Sequence, residues 1–165
     1  MSQLFYIVGD ATAPSGDGCK LIAHVCNDRG GWGSGFVNAI SRCWDFPEHR
    51  YRAWWSRRNS NDFALGACQF VRVTEDIVVA NMIAQRGFRM RGNPKPLRYD
   101  ALERCLVTVA EYARDHAATV HMPRIGNGRG GGDWDTIVSI IKRTLIARGI
   151  TTVVYDLPPR RYSFR

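Results

Sequence analysis

Residues 119–134 read TVHMPRIGNGRGGGDW, and this stretch decides the architecture. Thr119 to Met122 is a short apolar run fit for a strand. Gly126-Asn127-Gly128-Arg129-Gly130-Gly131-Gly132 is a glycine-rich loop, and Asp133-Trp134 opens a helix with Trp134, Ile137, Val138, Ile141 and Leu145 on one stripe. In a strand–glycine loop–helix unit the glycines let successive N–H groups converge on an anion. The following helix offers further free N–H groups and the positive end of its dipole. That dipole contributes about 0.3–1 kcal/mol, whereas each hydrogen bond to a charged phosphate oxygen adds about 1.5–3 kcal/mol. Aligned amides therefore dominate, and the loop is expected to bind phosphate. It is neither a Rossmann fingerprint, lacking the βαβ unit with an acidic residue beyond it, nor a P-loop, since GxxxxGK[ST] is absent.

Upstream, the sequence repeats the arrangement. The strand Lys20 to Cys26 runs into Asn27-Asp28-Arg29-Gly30-Gly31-Trp32-Gly33-Ser34-Gly35, and a helix follows from Phe36 to about Trp44. Two such loops at strand ends of one open sheet predict a single crevice clamping one elongated, phosphate-containing ligand.

The remaining segments fill in a layered α/β domain. Leu4 to Val8 reads as a first strand, and Pro47 suits the first position of a helix running to about Arg58. Gly66 to Val73 and Ile77 to Ile83 read as strands joined by the turn Thr74-Glu75-Asp76; the second is apolar throughout, as in a strand covered on both faces. Gln85 to Arg98 has no periodicity and reads as a long loop, which in a compact domain is usually functional. Leu102, Leu106, Val109 and Ala113 recur at helical spacing, Gly149 ends the last helix, and Thr151 to Asp156 closes the sheet. Strands interleaved with amphipathic helices predict helices on both faces of a mixed, largely parallel sheet.

The 165 residues suit one domain, here residues 1–157 with a basic tail at 158–165. No apolar run approaches the roughly 20 residues that span a bilayer, and the first residues lack the pattern of a signal peptide. Five cysteines, odd in number and without a CxxC, fit neither a disulfide framework nor a zinc site, and no metal or cofactor is called for. A cytoplasmic monomer is expected. The net charge of +8 points to an anionic partner, either a phosphate-bearing ligand or nucleic acid held by a basic surface.

Four polar residues could serve the crevice, each with a plainer alternative. His24 lies in an apolar strand and could be a satisfied core histidine. Asn27 could bond a sugar hydroxyl or merely shape the turn. Asp133 could be only a helix cap. Asp10 could accept from an adenine amino group or cap its own turn.

Taken in order, Gly9-Asp10-Ala11-Thr12, Ile22 to Asn27 with the first glycine loop, Met122 to Gly128, and Val153 to Asp156 resemble a macrodomain from about residue 4 to 157. The resemblance is nearest to the branch holding the terminal ADP-ribose protein glycohydrolase, the fungal ADP-ribose 1″-phosphate phosphatase and related bacterial ADP-ribosyl hydrolases. It implies a three-layer α/β/α sandwich with a cleft for ADP-ribose, free or on a protein. Asp10 and Ala11 would hold the adenine, and Asn27 the distal ribose. Gly31, Trp32, Gly33, Ser34, Gly35 and Phe36 would line the diphosphate and distal ribose. Ile125, Gly126, Asn127, Gly128, Arg129, Gly130 and Gly131 would wrap the diphosphate from the other side.

Three departures bear on chemistry. Where the terminal glycohydrolase has its lysine and aspartate, this chain has Gln85 and Gly130, and His24 replaces the first member of the paired asparagines of another hydrolase branch. The expected activity is hydrolysis of ADP-ribose from acidic side chains, with Asn27, His24 and Asp28 as candidate catalytic groups. Phosphatase action on ADP-ribose 1″-phosphate, deacetylation of O-acetyl-ADP-ribose, and binding without catalysis remain alternatives.

Overall fold

The computed structural model describes residues 3–159. The elements follow in the order β1 (Leu4–Val8), β2 (Lys20–Asn27), α1 (Phe36–Cys43), α2 (Phe46–Ser56), β3 (Cys68–Arg72), β4 (Ile77–Gln85), α3 (Tyr99–Asp115), β5 (Thr119–Met122), α4 (Trp134–Thr144) and β6 (Thr152–Asp156). They build one sheet in the order β1-β6-β5-β2-β4-β3, in which only β3 is antiparallel to its neighbour.

The apolar runs of β2 and β4 are explained by burial on both faces. Leu21 and Ala23 of β2, with Val78, Ala80 and Met82 of β4, face α3 and α4. Ile22 and Cys26, with Val79 and Ile83, face Val37 and Ile40 of α1 and Tyr51 and Trp54 of α2. The molecule is thus an α/β/α sandwich, as the pattern predicts. The α3–α4 side holds the larger cluster; Leu102, Leu106, Ile137 and Ile141 are all fully buried there, each stabilising by about 1.5–3 kcal/mol relative to exposure.

Element boundaries differ from expectation by a few residues for identifiable reasons. The last helix gives way after Thr144 to a 3₁₀ turn, Ile146–Arg148, before Gly149 stops it at φ 80°. The hairpin turn is fixed by Thr74, whose hydroxyl accepts from the Ile77 N–H at 3.0 Å. The edge strand β1 is far less buried than its composition suggests: Phe5, Tyr6, Ile7 and Val8 are all exposed. Residues 160–165 of the basic tail lie outside the described residues. Among the described residues no helix is long and apolar enough to cross a membrane.

Candidate binding cleft

The first glycine loop is organised by one side chain. Asn27 ends β2, and its Nδ2 donates to the Gly31 carbonyl at 2.8 Å, while its Oδ1 accepts from Arg29 N (2.9 Å) and Gly31 N (3.1 Å). The buried Tyr51 hydroxyl donates to the Asn27 carbonyl at 2.6 Å. Burial pushes the Tyr51 phenol well up, so it stays a donor. Gly31 is glycine because the Phe88 ring lies where a Cβ would stand.

The second loop is organised by its own backbone. Gly132 N donates to Gly126 O at 2.8 Å and Gly131 N to Gly128 O at 3.1 Å, and Leu97 N reaches Gly130 O at 3.1 Å. A Cβ at Gly132 would stand 2.5 Å from Leu97 Cδ2 and 2.9 Å from Gly126 O, so the turn closes only without one. Gly128, by contrast, faces open space. The long segment 86–98 links the two loops: Gly87 N donates to Asp28 Oδ1 at 2.8 Å, Phe88 covers Gly31, and Arg89 Nη1 is 3.5 Å from Gly128 O.

Between the loops lies a cavity of about 190 Å³, walled by Ser34, Gly35 and Phe36 on one side and Gly126, Gly128, Arg129 and Gly130 on the other. Among the described residues, the backbone N–H groups of Ser34, Gly35 and Phe36, and those of Gly128, Arg129 and Gly130, make no hydrogen bond within the protein. Two rows of donors thus flank one space. Phe36 and Pro123 also wall a cavity of about 100 Å³ containing Asp10, Ala11 and Tyr155. Ser34, Gln85 and Arg129 also wall one of about 80 Å³ containing Asn27, Gly31, Trp32, Gly33 and Phe88. The three run end to end, an elongated cleft at the C-terminal ends of β2 and β5.

Several sequence expectations need correction. The helix after the second loop does not offer its N-terminus to a ligand: Asp133 caps α4, its Oδ2 accepting from Thr136 N at 3.0 Å, and that bond holds its carboxyl below the usual range. The helix that does face the cavity is α1, whose N-cap Gly35 supplies no side-chain acceptor. Asp28 walls none of the three cavities; it is tied to Gly87 N at 2.8 Å and lies 3.7 Å from Arg29 Nε. Asn127 and Gly131 wall none of the three cavities. Trp32 walls the ribose-end cavity as expected, although its indole is largely buried and donates to Ser41 Oγ at 2.8 Å.

His24 touches the floor of the central cavity yet is only 1% exposed. Its Nε2 is 2.6 Å from Asn81 Oδ1, and Asn81 Nδ2 donates to the Pro47 carbonyl and Gln69 Oε1. Asn81 therefore presents its oxygen, and the imidazole carries its proton on Nε2. Burial pulls its pKa down to about 4, so it is neutral near pH 7. This arrangement makes a satisfied, supporting histidine and a poor general base. Asp10 caps its own turn, Oδ1 accepting from Thr12 N (2.9 Å) and Thr12 Oγ1 (2.7 Å), and the residue also walls the neighbouring cavity.

Sequence reasoning did not find Phe88, Pro123 or Tyr155 as wall residues, and treated Gln85 only as a substitution. Gln85 carried a usable signal, since it ends a buried strand at the mouth of a loop just as Asn27 does.

No protein-family model matches the chain. Among curated proteins it is 29% identical over 160 residues to chromodomain-helicase-DNA-binding protein 1-like of Danio rerio, covering 91% of this chain. The chain spans only 15% of that protein's length. It is 23% identical over 165 residues to the ADP-ribose 1″-phosphate phosphatase of Meyerozyma guilliermondii, covering 87% of this chain and 94% of that one. Among solved structures, a protein of unknown function from Bacteroides thetaiotaomicron is 50% identical with TM-score 0.90, covering 94% of this chain and 99% of that one. The fold is shared with DarTG of Thermosipho africanus, solved in complex with ADP-ribose, at 16% identity and TM-score 0.66 over 86% of this chain and 39% of that one. A macrodomain protein from Streptomyces coelicolor is 51% identical with TM-score 0.84, covering 93% of this chain and 99% of that one, and the chain belongs to the macrodomain family.

Proposed function

We propose that the cleft binds ADP-ribose and that the protein hydrolyses the ester joining its distal ribose to an acidic side chain. The observation that carries this reading is the pair of unpartnered amide rows flanking a single cavity of about 190 Å³. A diphosphate is the group whose oxygens can accept from both rows at once, and each such bond adds about 1.5–3 kcal/mol. The end cavities suit the rest of the ligand. Asp10 Oδ2 is free to accept from the adenine amino group, and the wall formed by Asn27, Gly31 and Gly33 suits the distal ribose. ADP-ribose is the ligand of the DarTG complex and the parent of the phosphatase's substrate, which supports the same assignment.

A glycosyl ester is labile, so catalysis requires a positioned water and stabilisation of developing charge rather than a strong base. Ser34, Gln85 and Arg129 meet where the diphosphate and ribose cavities join. In this reading the Ser34 hydroxyl and Gln85 amide, with the ligand's own diphosphate, orient the water. The Arg129 guanidinium stabilises negative charge, and bond cleavage yields ADP-ribose and the free carboxyl. Asn27 sets the loop that seats the ribose, while Asp28 and His24 act as positioning residues.

Incubation with glutamate-ADP-ribosylated protein tests this directly. Release of ADP-ribose above the no-enzyme rate is expected. Phosphate release from ADP-ribose 1″-phosphate without release from the ester would replace this reading with the phosphatase one.

A further inference from the structure

A further cavity of about 560 Å³ adjoins the ribose end of the cleft. Phe88 walls both this cavity and the ribose cavity, so a ligand held by its diphosphate points whatever its distal ribose carries toward this space. The lining joins Arg29, Arg86 and Arg98 to Trp55, Phe88 and Met90 and contains no carboxylate. Arg98 is braced, its Nη1 donating to Lys95 O at 2.8 Å and Leu97 O at 3.3 Å. Arg86 forms no ion pair among the described residues, and Arg29 has Asp28 only at 3.7 Å. Three arginines lining one hollow, with Asp28 beside Arg29 as the one nearby carboxylate, favour an anion that arrives with the substrate.

We infer that this cavity is an acceptor subsite, which selects ADP-ribosylated polypeptides carrying further acidic residues beside the modified one. The inference rests on the hydrolase reading above. Planar guanidiniums suit carboxylates in bidentate geometry, and the apolar surfaces of Met90 and Phe88 suit the methylene stems of glutamate. Binding single-stranded nucleic acid needs successive free aromatic faces, which are scarce here. Arg58 already lies over the Trp55 ring at 4.3 Å and the ring also packs on Gly30, while one side of Phe88 is taken by Gly31. A cavity of about 560 Å³ also falls within the range of discrete pockets rather than strand-length grooves.

The test uses two ADP-ribosylated peptides with the modified glutamate flanked by glutamates in one and glutamines in the other. Affinity and turnover are both measured, on the wild-type protein and on the double variant Arg29→Glu/Arg86→Glu. Both arginines are exposed, and free ADP-ribose affinity serves as the control for an intact cleft. The acidic peptide is expected to bind about tenfold tighter than the neutral one, and the preference is expected to vanish in the variant while free ADP-ribose binds unchanged. Equal affinity of the two peptides for the wild type overturns the subsite, as does an oligonucleotide that competes better than the acidic peptide. A clear acidic preference without ADP-ribose release supports the subsite and defeats the hydrolase reading; release without preference does the reverse.

Discussion

The two glycine loops hold their amides open by opposite means. In the first, a side chain does the work: Asn27 closes the turn on Gly31 and Arg29, and Phe88 lies over it. In the second, backbone bonds to Gly126 O and Gly128 O close the turn over Leu97, with no side-chain brace inside the loop. The difference separates two reasons for glycine. Gly132 is small because the protein packs against it, and Gly128 leaves room for something else.

The largest expected effect follows from that distinction. A Cβ at Gly128 would meet no heavy atom within 4 Å, and the residue has no positive φ, so Gly128→Glu should fold normally. The new carboxylate would face the diphosphate and displace it from several amides. ADP-ribose affinity in calorimetry should fall by more than about a hundredfold, with the melting temperature unchanged. Unchanged affinity would remove the second loop from the site.

Gly132→Ala should do the converse. Its Cβ would press on Leu97 and on the Gly126 carbonyl, at a cost of about 1–3 kcal/mol in denaturant unfolding. If its stability proved normal while binding was lost, the two kinds of glycine would not be separable. Asn27→Ala tests the first loop, leaving Gly31 O and two N–H groups without their partner. A loss of about 1–2 kcal/mol in stability, together with weaker ADP-ribose binding, is expected. Loss of binding with full stability would instead give Asn27 a direct contact with ligand.

The smallest effect concerns pH. His24 and His121 are both buried with pKa values pulled down to about 4, so the unfolded chain binds more protons than the folded one between about pH 4 and 6.5. Stability should therefore fall as pH drops through that window and gain nothing further from these groups above it. Hydrolysis should show no imidazole inflection between pH 6 and 8. An inflection there that disappears in His24→Gln would restore this residue as a catalytic group.

The layers were legible because β2 and β4 are apolar on both faces and α3 and α4 carry single stripes. The two loops were legible as a pair because each follows a strand. What the sequence did not disclose was long-range. That α4 is closed by Asp133 while α1 stays open depends on Gly35 having no capping side chain. The fate of Asp28 depended on Gly87, 59 positions away. The partner of His24, Asn81, lies directly opposite it on the neighbouring strand β4, 57 positions on, where only strand register could reveal it.

The central claim is that both amide rows grip one diphosphate, and ¹⁵N-resolved NMR titration with ADP-ribose tests it most directly. The account predicts that the amide resonances of Ser34, Gly35 and Phe36 and those of Gly128, Arg129 and Gly130 shift together, with one shared dissociation constant. Shifts confined to one loop, or two loops saturating at different concentrations, would contradict it.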